Sequence, residues 1–331
     1  MKKPWFDVVP LPPQSIDLNH KSRGILFLGS CFADEIGNRL IERKFDVLAN
    51  PAGAIYNPLS IEALFLYMSG QLEWQKHNVI EVDSIWYSWD HHGAIRGDSI
   101  ESLQKAVDQC HNMMLECLKK SELLTITLGT AYVFEKVIDG QIVANCHKAP
   151  GSLFQRRMLR VEDVVHSLES IYTIAKSIQP GLKLLLTLSP VRHLREGHLA
   201  NQVSKSILRV AIHAFLEQYV DVMYFPSYEI ALDELRDYRF YKEDRMHLSE
   251  EATDYIFDRF STWSMSDETI ALNEKIEKLQ LAISHRPIGG QHSAAYQMHL
   301  QRTKEKIDYL LSEYPFLNFD NELANIAKLL Q

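Results

Sequence analysis

The sequence predicts an α/β fold: a doubly wound, largely parallel sheet followed by a C-terminal helical extension. Short apolar runs of strand length alternate about five times with segments of helical period. The runs end in small-residue turns such as Gly29-Ser30, Gly129-Thr130-Ala131 and Ser189-Pro190. From about residue 266 the strand-like runs stop and apolar residues recur every three or four positions. Two domains are therefore expected, an α/β domain over 1–265 and a helical extension over 266–331.

Residues 1–20 contain Pro4, Pro10, Pro12 and Pro13 and read as an extended lead-in. The first strand is Ile25 to Leu28, an unbroken apolar run suited to burial on both faces. After Gly29-Ser30 the pattern turns helical, with Phe32, Ile36, Gly37 and Leu40 on one side. Asp34 and Glu35 lie near its start and Arg39, Arg43 and Lys44 at its end, as the helix dipole favours. A second strand starts near Asp46 and runs into a loop, and Pro58 opens a helix. Residues 72–98 read as short strands or an ordered excursion. A helix over 99–119 carries Leu103, Ala106, Cys110, Met113 and Cys117 on its expected inner face. Leu123 to Leu128 is a buried strand, and residues 132–150 form a hairpin turning at Asp139-Gly140. Helices are expected over Val161–Ile178 and Gln202–Tyr219, with strands at Leu182–Leu188 and Val222–Pro226. A helix begins near Ser249. In the extension, Leu272, Ile276, Leu279 and Ile283 mark one helix, and Ile288-Gly289-Gly290 breaks it. Leu300, Ile307 and Leu311 mark a second helix, and Leu323 and Leu330 a short third one. These helices are expected to pack on the α/β body or to form a homodimer contact.

Composition narrows the function classes. The 331 residues carry a net charge of −8, which offers nothing to nucleic acid or an anionic membrane. Two lysines at the start lack a following apolar region, no run has the length of a membrane helix, and the four cysteines lack CxxC spacing. A cytoplasmic protein without a disulfide framework is expected. Gly29 stands alone before its helix, without G-x-G-x-x-G or a Walker lysine, so no nucleotide cofactor is expected.

The chemistry is expected where strands meet helices, because ligands bind at the carboxyl edge of an open α/β sheet. Ser30 sits at such a junction, either as a nucleophile or as a helix cap. Asp244 and His247, three apart in the last strand-to-helix connection, can pair as acid and base and reach the same edge. Cys31 is an alternative nucleophile, though packing into the sheet is the expected role of its side chain. His91, His92 and His147 raise a metal site, but neither HExxH nor CxxC spacing supports one, and no metal is expected. Gly129, His147 and His193 can line the pocket, and Arg192 can hold an anionic group or form a structural salt bridge.

Gly29-Ser30-Cys31-Phe32-Ala33 is the motif that names the GSCFA domain family, which is grouped with the SGNH, or GDSL-like, hydrolases. The stretches Asn50 to Pro58, Leu128 to Ala131, Asn145 to Lys148, Ser189 to His193 and Asp244 to His247 also resemble this family, over roughly residues 20–260. The resemblance implies a flavodoxin-like α/β/α three-layer fold and a serine hydrolase acting on an ester or acetyl group of a small molecule or glycan. It implies Ser30 as nucleophile, His247 as base and Asp244 as the acid that orients it. The oxyanion donors would be the Ser30 amide, the Gly53 amide and an asparagine of the third sequence block. That block should read G-x-N-D, whereas this chain has Gly129-Thr130-Ala131-Tyr132. Asn57 or Asn145 could supply the missing amide, or Thr130 its hydroxyl. The same machinery would serve acyl transfer, and a degenerate pocket would serve binding without turnover.

Overall fold

Regular structure begins with β1 (Ile25–Gly29), α1 (Cys31–Glu42), β2 (Val47–Ala49) and α2 (Pro58–Met68) in this computed structural model, which describes residues 7–14, 16–285 and 293–330. Three short strands follow, β3 (Val79–Val82), β4 (Ile85–Ser88) and β5 (Arg96–Gly97), in a small antiparallel sheet. Next come α3 (Ile100–Lys120), β6 (Leu123–Leu128), β7 (Tyr132–Lys136), β8 (Ile142–Val143) and β9 (Phe154–Met158). The last three make a second antiparallel sheet in the order β8-β7-β9. Then α4 (Val161–Ile178), β10 (Lys183–Leu188), α5 (Gly197–Gln218), β11 (Met223–Phe225), α6 (Ser227–Asp233) and α7 (Glu250–Ser264) follow. The C-terminal helices are α8 (Asp267–Ser284), α9 (Ala294–Glu313) and α10 (Asp320–Leu329).

The chain forms two units. The larger holds Arg23–Asn38 and Val47–Phe260 with residues up to Pro13; the smaller holds Gln14–Ser22, Arg39–Asp46 and Ser261–Gln331. The central sheet of the larger unit is parallel throughout, in the order β2-β1-β6-β10-β11. Counting only these five strands along the chain, the order is 2-1-3-4-5, that of a flavodoxin-like three-layer fold. Its topological switch point lies between β1 and β6, so the loops after these strands open onto the crevice where such folds bind ligands. Every residue of β1 and β6 is buried, which is why both read as unbroken apolar runs. Gly37 lets α1 lie close on β2, since a Cβ there would stand 2.7 Å from that of Ala49.

Several elements differ from expectation. On α3 the buried residues are Leu103, Val107, Cys110, Met114, Cys117 and Leu118, whereas Met113 is exposed. The inner stripe is spaced four-three-four-three, a small rotation from the expected one. β9 was not anticipated, because its two central arginines mask the alternation of a half-buried strand. α5 starts five residues earlier than expected, at Gly197.

In the smaller unit, Leu272, Ile276, Leu279, Leu300, Ile307 and Leu310 form one apolar core. Ser266 caps α8 by accepting from the Thr269 amide. The expected break at Ile288-Gly289-Gly290 lies outside the described residues. Among the described residues no helix is long and apolar enough to cross a membrane.

Candidate active site

Ser30 stands where β1 ends and α1 begins, and the turn that presents it tolerates only glycine before it. Gly29 has φ 134°, and a Cβ on it would lie 2.1 Å from the Thr127 carbonyl oxygen of β6. Asn50, buried after β2, clamps the turn: its Oδ1 accepts from the Gly29 amide at 2.8 Å and its Nδ2 donates to the Ser30 carbonyl at 3.3 Å. Ser30 Oγ accepts from the Phe32 amide at 3.2 Å, so the serine does cap α1. Gly29→Ala is accordingly expected to cost about 3 kcal/mol or more, since the clash is with backbone in two adjacent core strands. Urea unfolding checks this; a midpoint near wild type would mean that the turn can be rebuilt.

Asp244 and His247 occupy the loop before α7. Asp244 Oδ1 accepts from the Met246 amide at 2.8 Å and the His247 amide at 3.0 Å, and Oδ2 pairs with His247 Nδ1 at 2.6 Å. Arg245 takes φ 56° to close this turn. The His247 amide and ring and the Met246 amide hold the Asp244 carboxyl down at about 2, so it is ionised at neutral pH. With Nδ1 turned to the carboxylate, Nε2 is the ring nitrogen left to take a proton from elsewhere. The Arg192 amide donates to the Met246 carbonyl at 3.1 Å and fastens this loop to the segment after β10.

Ser30 and His247 line one cavity of about 330 Å³ in the larger unit. Its walls include the rings of Tyr56, Tyr132 and Phe134, the cations Arg156, Arg192 and Arg195, and His193. His193 packs on the Tyr56 ring at 4.9 Å, and its amide donates to Asn201 Oδ1. Burial, then the nearby Lys205 charge, pushes the His193 imidazole down to about 3, so it is neutral. Below the strand ends, fully buried Lys205 Nζ donates to the Gly129 carbonyl at 2.7 Å and the Ser189 carbonyl at 2.6 Å, joining the ends of β6 and β10. The arrangement offers a hydroxyl, an oriented imidazole and a cationic wall around one space.

The GSCFA family model matches residues 24–260, more than half of the chain. The chain belongs to the GSCFA family. A second model, the C-terminal domain of GSCFA domain proteins, matches residues 276–331. Comparison with curated proteins finds no match. Among solved structures, a carbohydrate esterase family 3 protein from Talaromyces cellulolyticus is similar at 9% identity with a TM-score of 0.28, covering 49% of this chain and 65% of that one. The match thus spans just under two thirds of that protein, and at this level neither fold nor activity follows from it.

Several expectations for the GSCFA site need correction. The Gly53 amide donates to the Asn50 carbonyl at 2.7 Å, and a Cβ on Gly53 would meet the His92 ring, so this glycine serves a tight turn. The Ser30 amide donates to the Thr127 carbonyl at 3.0 Å, continuing the β1–β6 ladder. Asn57 caps α2 through the Ser60 amide, and Asn145 Oδ1 accepts from the His147 amide. Neither asparagine lines the cavity, and neither do Gly129 and His147. Gly129 gives its amide to the Tyr56 carbonyl at 2.7 Å. Thr130 does line the cavity, but its hydroxyl pairs with Ser204 at 3.0 Å. Cys31 is exposed and lines the cavity instead of packing into the sheet. Desolvation of its sulfur, with Asp34 and Glu35 adding, pushes the thiol up, against thiolate formation.

The histidines raised for a metal have other partners. His91 pairs with His111 at 2.8 Å and with Ser88 Oγ at 2.9 Å, His92 Nδ1 accepts from the Ala94 amide at 3.2 Å, and His147 Nε2 bonds the Ser88 carbonyl. Among the described residues no three His, Cys, Asp or Glu side chains gather for a metal.

Sequence reasoning missed Asn50, Lys205, Arg156, Arg195 and the three rings. The Asn50-Pro51 pair at a strand end was a signal for Asn50. Lys205, in register with Leu208 and Ile212 on the inner face of α5, was a signal for a buried lysine.

Proposed function

We propose that this GSCFA protein is an SGNH-like serine hydrolase, an esterase or deacetylase acting on a small molecule or glycan. Ser30 attacks the acyl carbonyl, His247 takes the hydroxyl proton and returns it to the leaving alcohol, and Asp244 orients His247. The observation that carries this reading is the shared cavity: Ser30, 2% exposed, and the Asp244-oriented His247 open onto one space although more than two hundred residues separate them. With the Ser30 and Gly53 amides engaged, we assign the oxyanion to the Cys31 amide at the start of α1, where the helix dipole adds to it. Location in the cytoplasm suits four free thiols.

The engaged amides also favour a second reading, a binding protein that keeps the pocket without turnover. A fluorophosphonate probe separates the two. Covalent labelling at Ser30, lost in His247→Ala, is expected of the hydrolase. Wild-type protein that binds no probe under conditions labelling a control serine esterase would leave the binding reading.

A further inference from the structure

We propose that this cavity takes a sugar-sized ester bearing an oxyacid anion, a carboxylate or phosphate, held by the wall of Arg156, Arg192 and Arg195. The inference rests on the proposed function only in taking this cavity as the substrate site. In a chain of net charge −8, three arginines line one cavity and, among the described residues, no Asp or Glu lines it. They come from separate places, Arg156 from β9 and the other two from the segment after β10, so no local sequence run explains their meeting.

Aromatic faces set their orientation. The Arg156 guanidinium lies 4.6 Å from the Tyr132 ring centre and 4.7 Å from that of Phe134, and Arg195 lies 5.1 Å from the Phe134 ring on which both converge. Arg192 lies 4.0 Å from the ring of Tyr241, which lines a neighbouring cavity, so Arg192 stands on the border between the two. A guanidinium stacked on a ring keeps its N–H edge available for an oxyacid, and it is held without being neutralised. Arg156 is already paired with Glu196 and its Nε is buried, so the charge without a carboxylate partner rests on the other two arginines. Among the described residues Arg192 and Arg195 have no carboxylate within salt-bridge distance, 4.0 Å. An anion in the cavity would meet the unpaired charges of Arg192 and Arg195; burial, then the nearby Arg195 charge, pushes the Arg156 guanidinium below its ordinary value. A cavity of about 330 Å³ accommodates one sugar ring or a short ester, and Tyr56, Tyr132 and Phe134 add apolar lining.

Calorimetry on the full chain tests this with methyl glucoside, methyl glucuronoside and methyl glucoside 6-phosphate. None needs turnover, so the result does not depend on catalysis. At least one anionic sugar is expected to bind about tenfold or more tighter than the neutral one, and which one identifies the source of the anion. Arg192→Met and Arg195→Met, which keep the apolar stem, are expected to reduce that preference, with thermal melts checking their folding. Should either variant fail to fold, Arg192→Lys and Arg195→Lys replace them, and the preference is expected to weaken. Equal binding of all three sugars, binding of none, or a preference that survives both substitutions would overturn the inference. Probe labelling of Ser30 without an anion preference would sink this inference alone, whereas an anion preference without labelling would sink the hydrolase reading alone.

Discussion

Ser30→Ala is expected to lower ester turnover by about 10⁴-fold or more while the protein remains folded. The hydroxyl forms its covalent bond only along the reaction path, so its removal acts on the transition state and not on ground-state binding. Folding should lose about 1 kcal/mol, because Oγ also caps α1 through the Phe32 amide. His247→Ala should cost about as much as Ser30→Ala, since both belong to one proton-transfer unit. Asp244→Asn should cost less, by roughly two orders of magnitude, because the carboxylate orients the base and does not carry the proton away. The Met246 and His247 amides would still bond an amide oxygen at position 244, so the loop should survive that change. Cys31→Ala should leave turnover near wild type, the thiol being disfavoured as a thiolate. Short acyl esters assayed at neutral pH decide the order. Turnover that survives Ser30→Ala and disappears in Cys31→Ala would move the nucleophile to the thiol.

The fold was largely legible because its inner strands are buried on both faces. β1, β6 and β10 read as apolar runs for that reason, and the turns after them carry Gly, Ser or Pro. Strand order was not legible from those runs, since register is a property of pairs. β9 escaped because Arg156 and Arg157 interrupt its apolar residues, although only alternate positions face inward. The contact between Asp244 and His247 was legible, being local: three residues in a tight turn bring a carboxylate to an imidazole.

Arg156 and Arg195 were not legible as part of the wall, because they join Arg192 only once β9 and the β10 loop are in place. The oxyanion donors were misread for a related reason. Whether the amides of Ser30 and Gly53 are free depends on which carbonyls the turn places opposite them, here those of Thr127 and Asn50. A residue-type pattern says nothing about that pairing.

Lys205 is expected to make the stability of the protein depend on pH in a way that Lys205→Met removes. Its ammonium is fully buried, and desolvation pushes it down to about 7, while the Gly129 and Ser189 carbonyls act the other way by favouring the charged form. A lysine whose folded pKa lies below its unfolded value, 10.5, binds fewer protons when folded than when unfolded across pH 7 to 10.5. Stability therefore rises with pH through this window. Below pH 7 the full cost of the buried charge is present, and above 10.5 it is gone. The difference is at most about 4–5 kcal/mol, less whatever the two carbonyl bonds return to the ammonium. In Lys205→Met this contribution to the slope vanishes. At pH 10 the variant should be less stable than wild type by about 2–4 kcal/mol, because two buried carbonyls lose the amine that joins them. At pH 7 the gap should narrow or reverse, since wild type then carries the buried charge. Urea unfolding of both proteins at pH 7, 8.5 and 10 reads this directly. Parallel stability curves would show that Lys205 stays charged throughout, held by its two carbonyls. A gap that widens with pH would place its titration inside the window and fix the ends of β6 and β10 as the elements it joins.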